Sequence, residues 1–245
     1  MKKTLFSLCL AATMMACNNQ AGNNVKADSA ATSAAAVVLP IDTVVLGDKV
    51  LLVYPLEKSA FLTEKQELYS DNYSDSTEQV ALTRDSAWVT READSLRFVV
   101  KNGNGGGFKN NDKTDGDDYV RYYYKGLLSD IGYYCVSAAY YESGETILVS
   151  QATGERVNVW DMPLISPDKK TFLCFSYDLV AGFVPNGIQL YTVNNGKAEQ
   201  VADAELTRWG PGRMKWVDNK TLEGEYITLD SANNELIRPV KLVLQ

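Results

Sequence analysis

The chain of 245 residues has no histidine. That absence removes Ser-His-Asp and Cys-His hydrolysis, histidine-ligated zinc and imidazole acid–base chemistry together. Catalysis would have to rest on carboxylates, as in glycosidases that use a pair of Asp/Glu residues. Asp161, Asp178 and Glu223 stand beside aromatic residues, but the chain carries 31 acids and no pair separates itself from a solvated acidic surface. Cysteine is scarce as well. Beyond Cys9 and Cys17 there are only Cys135 and Cys174, each inside an apolar run where cysteine acts as a small buried hydrophobe. A bridge between them needs Cα atoms within about 7 Å, which their spacing neither supplies nor forbids. Long helical periodicity is lacking, which places the chain in the all-β class. No basic patch interrupts the acidic balance of 24 Lys and Arg against 31 acids, so broad contact with nucleic acid is excluded.

What is present begins at the first residues. Lys2 and Lys3 precede a run from Leu5 to Met15 that is apolar apart from Ser7, Cys9 and Thr13, and Ala16 stands directly before Cys17. This is the layout of a secretory signal, and the run is shorter than the ~20 residues that span a bilayer. Met14-Met15-Ala16-Cys17 resembles a bacterial lipobox, with Met14 where that family usually has Leu. The resemblance implies that Cys17 is acylated and begins the mature chain; an ordinary signal peptidase site, leaving Cys17 a free thiol, is the alternative. Acyl chains would hold the protein to a lipid bilayer, each buried CH₂ contributing about 0.8 kcal/mol. The expected organisation is a signal over residues 1–16, a flexible tether over 17–40 poor in large apolar side chains, and a single all-β domain over 41–245. Loss of residues 1–16 removes two lysines and leaves 22 basic against 31 acidic residues, a charge of −9. The Asn-rich tether and the composition resemble lipoproteins of gut Bacteroidetes, which implies an address in the cell envelope, in the periplasm or at the outer-membrane surface.

In the body, short β-type runs alternate with turn chemistry. Thr43–Leu46 and Lys49–Leu56 flank Gly47-Asp48 as an opening hairpin, and Gln79–Thr83, Ala87–Arg91 and Leu96–Val100 are expected strands. Ser59–Tyr69 is expected as a short helix, and Asp71–Thr77 as a polar loop. Three further hairpins turn at Thr153-Gly154, Asn195-Gly196 and Asn233-Asn234, residue pairs that tolerate the positive φ of tight turns. Gly154 to Gly196 is 42 residues and Gly196 to Asn234 is 38, close to the ~40–45-residue period of propeller blades. Aligning Thr146, Thr171 and Thr221 gives 25 and 50 instead, and the two registers conflict. The expected fold is therefore antiparallel and β-propeller-like with repeats of roughly 40 residues, with a β-sandwich or meander barrel as alternative.

Ser166-Pro167-Asp168-Lys169-Lys170, followed by Phe172-Leu173-Cys174-Phe175-Ser176, resembles the blade motif of TolB-like and other SPDGK propellers, with Lys169 in place of the glycine. The resemblance implies a tight turn at Pro167-Asp168 between two strands. Asp218-Asn219-Lys220-Thr221-Leu222 repeats its tail and Ser143-Gly144-Glu145-Thr146-Ile147 is a looser copy. Trp160, Trp209 and Trp216 stand near strand ends, with Trp209-Gly210-Pro211-Gly212 expected as a rigid turn flanked by Arg208 and Arg213, which are expected to be solvated, with pairing to acids or carboxylate ligands as the alternative.

Two stretches suggest binding. Asp112, Asp115, Asp117 and Asp118 follow a Gly-rich run, and closely spaced carboxylates on a loop suit Ca²⁺, although the spacing is not that of an EF-hand. Tyr119, Tyr122–Tyr124, Tyr133, Tyr134, Tyr140 and Tyr141 crowd one region; adjacent residues of a strand face opposite ways, so some of these rings are expected at the surface, as platforms for sugars or peptides. The functional expectation is a membrane-anchored, non-enzymatic module that binds protein or glycan, with a carboxylate-dependent glycoside hydrolase or a calcium-dependent adhesion module as alternatives.

Overall fold

The computed structural model describes residues 38–59, 74–102, 106–113 and 116–245. Cys17, the tether as far as residue 37 and the expected helix from residue 60 onward lie outside them. The elements are β1 (Asp42–Leu46), β2 (Lys49–Pro55), α1 (Asp75–Arg84), β3 (Val89–Glu92), β4 (Ser95–Phe98), β5 (Gly107–Lys109), β6 (Val120–Leu128), β7 (Tyr133–Tyr140) and β8 (Gly144–Ser150). They continue through β9 (Arg156–Val159), β10 (Leu164–Ile165), β11 (Thr171–Ser176), β12 (Gly187–Asn194), β13 (Lys197–Glu205), β14 (Gly210–Trp216), β15 (Thr221–Leu229) and β16 (Glu235–Leu244).

The strands form four open antiparallel sheets in chain order. The first is β3-β4-β5, the second β6-β7-β8-β9, the third β10-β11-β12-β13, and the fourth β1-β2-β16-β15-β14. Each consecutive pair of sheets shares an apolar core, so the second and third sheets are covered on both faces. Phe98, Phe108, Tyr134 and Val136 fill the core between the first two sheets. Tyr133, Cys135, Phe172 and Cys174 fill the next. Leu173, Leu190, Trp209 and Leu242 fill the last. Along β7, successive side chains therefore enter alternate cores: Tyr133 and Cys135 one way, Tyr134 and Val136 the other. This two-sided burial explains the unbroken apolar runs, since a strand covered on both faces needs no polar alternation. Some of the tyrosine rings reach the surface as expected, Tyr141 among them, but alternation does not expose one of every pair. Tyr133 and Tyr134 are both buried, and each hydroxyl finds a partner: Tyr133 Oη accepts the Ala198 N–H at 2.9 Å and Tyr134 Oη donates to the Val99 carbonyl at 2.6 Å.

The turns follow local chemistry. Asn195 and Gly196 have φ of 52° and 75°, the positive pair of a tight two-residue hairpin. At the SPDGK-like turn Asp168 Oδ1 accepts from the Ser166 hydroxyl and the Lys170 N–H, and Lys169 takes φ 62° where glycine would be unstrained. Asp218 Oδ1 does the same for the N–H groups of Lys220 and Thr221. Neither sequence register keeps one position within the sheets: Thr153-Gly154 and Asn195-Gly196 join third to fourth strands but Asn233-Asn234 joins β15 to β16, and Thr171 and Thr221 open β11 and β15 whereas Thr146 lies within β8. A second kind of turn, directly before β7, β11 and β15, holds Asp130, Asp168 and Asp218. The turns of this second kind meet one another: Lys169 pairs with Asp130 at 2.6 Å, and the Asp168 N–H donates to Asn219 Oδ1 at 2.9 Å.

Three local expectations are overturned. Gln79–Thr83 is not a strand and Asp75–Thr77 is not loop; both belong to α1. Trp209-Gly210-Pro211-Gly212 is not a turn, for Gly210 and Pro211 pair with Ile227 and Tyr226 and enter a strand with a bulge before Met214. Gly210 is needed there, because a Cβ would stand 2.1 Å from the Tyr177 ring. Arg213 is not a solvated cation: its Nη2 lies 2.6 Å from Glu225, and the two side chains are 19% and 11% exposed.

α1 covers the open edge of β6. Its Glu78 accepts the Tyr124 N–H at 2.6 Å, and Asp85, directly after the helix, accepts the Leu127 N–H at 3.0 Å and the Tyr124 hydroxyl at 2.8 Å. Asn110 Oδ1 takes the Tyr122 N–H at 2.9 Å, while Arg91 donates to the Tyr122 carbonyl and to Glu78. Side chains thus supply what a neighbouring strand would. At the far side the opening hairpin is paired by backbone alone, β2 lying against β16 from Pro55–Val240 to Leu51–Leu244.

Candidate functional site

An open-mouthed cavity of about 680 Å³ lies where the second and third sheets come together. Tyr123 of β6, Ala139 and Tyr140 of β7, the turn residues Tyr141, Glu142 and Ser143, and Tyr119 ahead of β6 form most of its wall. Phe183 and Val184, from the loop between β11 and β12, close the opposite side. Five aromatic rings thus line a space within the ~300–1,000 Å³ range of ligand pockets. Tyr141 is 64% exposed and Phe183 62%, so both rings are open to solvent.

The wall contributed by the third sheet is fixed by one carboxylate. Asp178 Oδ1 accepts the Val180 and Ala181 N–H groups at 3.3 and 2.8 Å, and Oδ2 accepts those of Phe183 and Val184 at 2.8 and 3.2 Å. The Gly182 N–H, foremost among these donors, helps to pull the Asp178 carboxyl down to about 2. The loop carrying Phe183 is thereby held in one shape, with Val180 and Phe183 turned outward. On the other wall the Tyr140 hydroxyl donates to Glu145 Oε1, whose second oxygen accepts from Asn158 at 2.8 Å. Burial, reinforced by that hydrogen bond, pushes the Tyr140 phenol up and keeps it protonated. The Arg121 guanidinium lies 5.1 Å from the Tyr123 ring centroid and is itself held by Asp75 at 2.7 Å and Asp112 at 3.9 Å.

The residues singled out in the sequence divide sharply. Of the tyrosines, Tyr119, Tyr123, Tyr140 and Tyr141 meet at the cavity, while Tyr124, Tyr133 and Tyr134 are core. Asp112 stands beside Arg121, and the Asp118 carbonyl accepts from Asn111 at 2.7 Å. Among the described residues no three acidic or thiol groups gather as a metal-holding cluster; Asp115, the fourth acid of the calcium expectation, lies outside them. Cys135 and Cys174 are buried free thiols in the core between the second and third sheets, and burial pushes Cys135 up to about 12. None of the three acids considered for catalysis lines the cavity: Asp178 is engaged by its loop, Glu223 accepts from the Ser59 hydroxyl at 2.6 Å, and burial pushes the Asp161 carboxyl up near Cys174. Trp209 stacks on Tyr226 at 4.4 Å and the Trp216 indole donates to the Leu164 carbonyl at 2.9 Å, both as interior packing. The Trp160 N–H donates to Gln189.

Phe183 and Glu145 escaped the sequence reading. An apolar Leu179–Val184 stretch between Asp178 and Pro185 was the available signal, since a loop gains nothing by exposing such residues unless they meet something. No helix among the described residues is long and apolar enough to cross a membrane. Comparison with protein-family models, curated proteins and solved structures finds no match in any of the three.

Proposed function

We propose that this protein is an envelope lipoprotein, anchored through Cys17, whose body is a non-enzymatic module that binds a glycan or protein group in the aromatic cavity. One observation carries the reading: four tyrosines and a phenylalanine from separate elements converge on an open space of about 680 Å³, with one of the walls pinned by Asp178. Ring faces held in place lose little entropy on binding, which is how rigid aromatic surfaces gain affinity. In the same reading the four sheets are blades of a propeller-like body. Supporting this are the meeting of equivalent turns along Asp130, Lys169, Asp168 and Asn219, and the supply of β2 from the beginning of the body to the last sheet.

The test is a screen of the purified full chain against immobilised glycans and peptides, repeated with the Tyr141→Ala/Phe183→Ala double variant. Both side chains are exposed, so the variant folds, and its expected loss of binding is at least tenfold, as for removal of two aromatic anchors. Binding that survives the double change sinks the cavity reading. Turnover of a glycoside, abolished by Glu145→Gln, replaces binding with hydrolysis.

A further inference from the structure

We infer that the cavity is an aromatic cage for a small quaternary ammonium ligand, a ligand class that rests on the binding reading above. Among the described residues the lining contains rings from Tyr119, Tyr123, Tyr140, Tyr141 and Phe183, and its only charged residue is Glu142, with no lysine or arginine. An anionic group entering this space would meet a carboxylate and the negative faces of the rings, while Arg121, the cation beside Tyr123, is already paired with Asp75 and Asp112. A cation meets the reverse, because the quadrupole of each ring attracts positive charge within about 6 Å of its centroid. The molecule already shows this kind of contact, in Arg121 over Tyr123 at 5.1 Å and in Arg156 over Phe108 at 4.0 Å. Its net charge of −7 draws cations toward the surface as a whole.

The hydrogen bond from Tyr140 to Glu145 sharpens the preference. A phenol that donates to a carboxylate gains electron density on its oxygen and ring, which deepens the negative face presented to the cavity. The choice of a quaternary over a primary ammonium follows from the donors and acceptors. A primary ammonium brings three N–H donors that need acceptors once dehydrated, and Glu142, exposed at the rim, is the only carboxylate of the lining. A quaternary nitrogen has no N–H to satisfy and is held by ring faces and methyl contacts alone.

The experiment compares choline with 3,3-dimethylbutan-1-ol, its neutral isostere, by calorimetric titration of the full chain, with a neutral oligosaccharide panel and propylamine alongside. The two isosteres share shape and apolar area, so a difference between them reports charge. Choline is expected to bind roughly tenfold or more tightly than the alcohol, and Tyr141→Ala to weaken it by a similar factor. Tyr140→Phe, which keeps the ring and removes the donated proton, is expected to weaken choline several-fold without weakening the alcohol; a melting curve of each variant verifies its folding. Equal affinity for choline and the alcohol, or tighter binding of propylamine than choline, overturns the cage. Oligosaccharide binding without choline binding overturns the cage and leaves the binding module standing. Absence of any binding sensitive to Tyr141→Ala overturns both.

Discussion

Two strand edges, that of β6 in the second sheet and that of β16 in the fourth, are closed by different means. At β6 the open edge is satisfied by side chains, Glu78 and Asp85 of the helical segment and Asn110 of the loop, each taking a backbone N–H. At β16 the edge is satisfied by backbone, through β2 and behind it β1. The lesson is that one fold can close one edge with ionisable groups and another without them. The first edge then depends on protonation and on single side chains, whereas the second depends on packing behind it.

The largest effect expected at the first edge comes from Glu78→Ala. It strands the Tyr124 N–H and leaves Arg91, 17% exposed, without its carboxylate, a loss of about 3–5 kcal/mol on breaking a buried pair. Leu51→Ala is the matching change at the second edge. Leu51 is fully buried in β2, and the cavity left behind costs about 2–5 kcal/mol. Urea unfolding followed by circular dichroism measures both, and a Glu78→Ala loss below that of an ordinary surface change breaks the comparison.

Acid separates the edges further. The Arg84 guanidinium, helped by the Tyr124 hydroxyl and the Leu127 N–H, holds the Asp85 carboxyl below its usual value. A depressed folded-state value contributes stability that is complete above the unfolded-state value near ~4 and is lost as pH falls through the folded one. Asp85→Asn is therefore expected to cost about 1–2 kcal/mol at pH 7 and progressively less below pH ~4, while the Leu51→Ala cost stays constant across the same range. Parallel pH profiles for the two variants would remove the distinction. The smallest effect is assigned to Arg84→Ala. Arg84 bonds Asp85 at 2.8 Å but is 58% exposed, so its loss is expected to cost no more than about 1 kcal/mol while raising the pH at which the edge weakens.

The same contrast governs what could be read from the sequence. Features fixed by neighbouring residues were legible: the opening hairpin at Gly47-Asp48, the Asn195-Gly196 turn, and the Asp168 and Asp218 turns all form as their local chemistry dictates. The helix was not, because its pattern is inverted. α1 buries Glu78 and Ala81 and leaves Val80 69% exposed, so a run whose valine and threonines look like strand hides a helix that docks through an acid. The tyrosines were half legible, because alternation tells that Tyr133 and Tyr134 point opposite ways but not that a sheet waits on each side. The candidate site was legible in Tyr119, Tyr140 and Tyr141, yet Phe183 arrives from the next sheet, and Arg213 with Glu225 shows how a paired charge hides among solvated ones.

The pairing of β2 with β16 also sets an order of events. The segments of the body farthest apart along the chain become neighbours, so a strand made early stays without its partner until nearly all of the body has emerged. Sheets of nearby segments assemble quickly and long-range closures slowly. During synthesis, the β1–β2 ribbon is therefore the part most in need of a chaperone's shelter, and shortening β16 would unfasten the beginning of the body rather than its end.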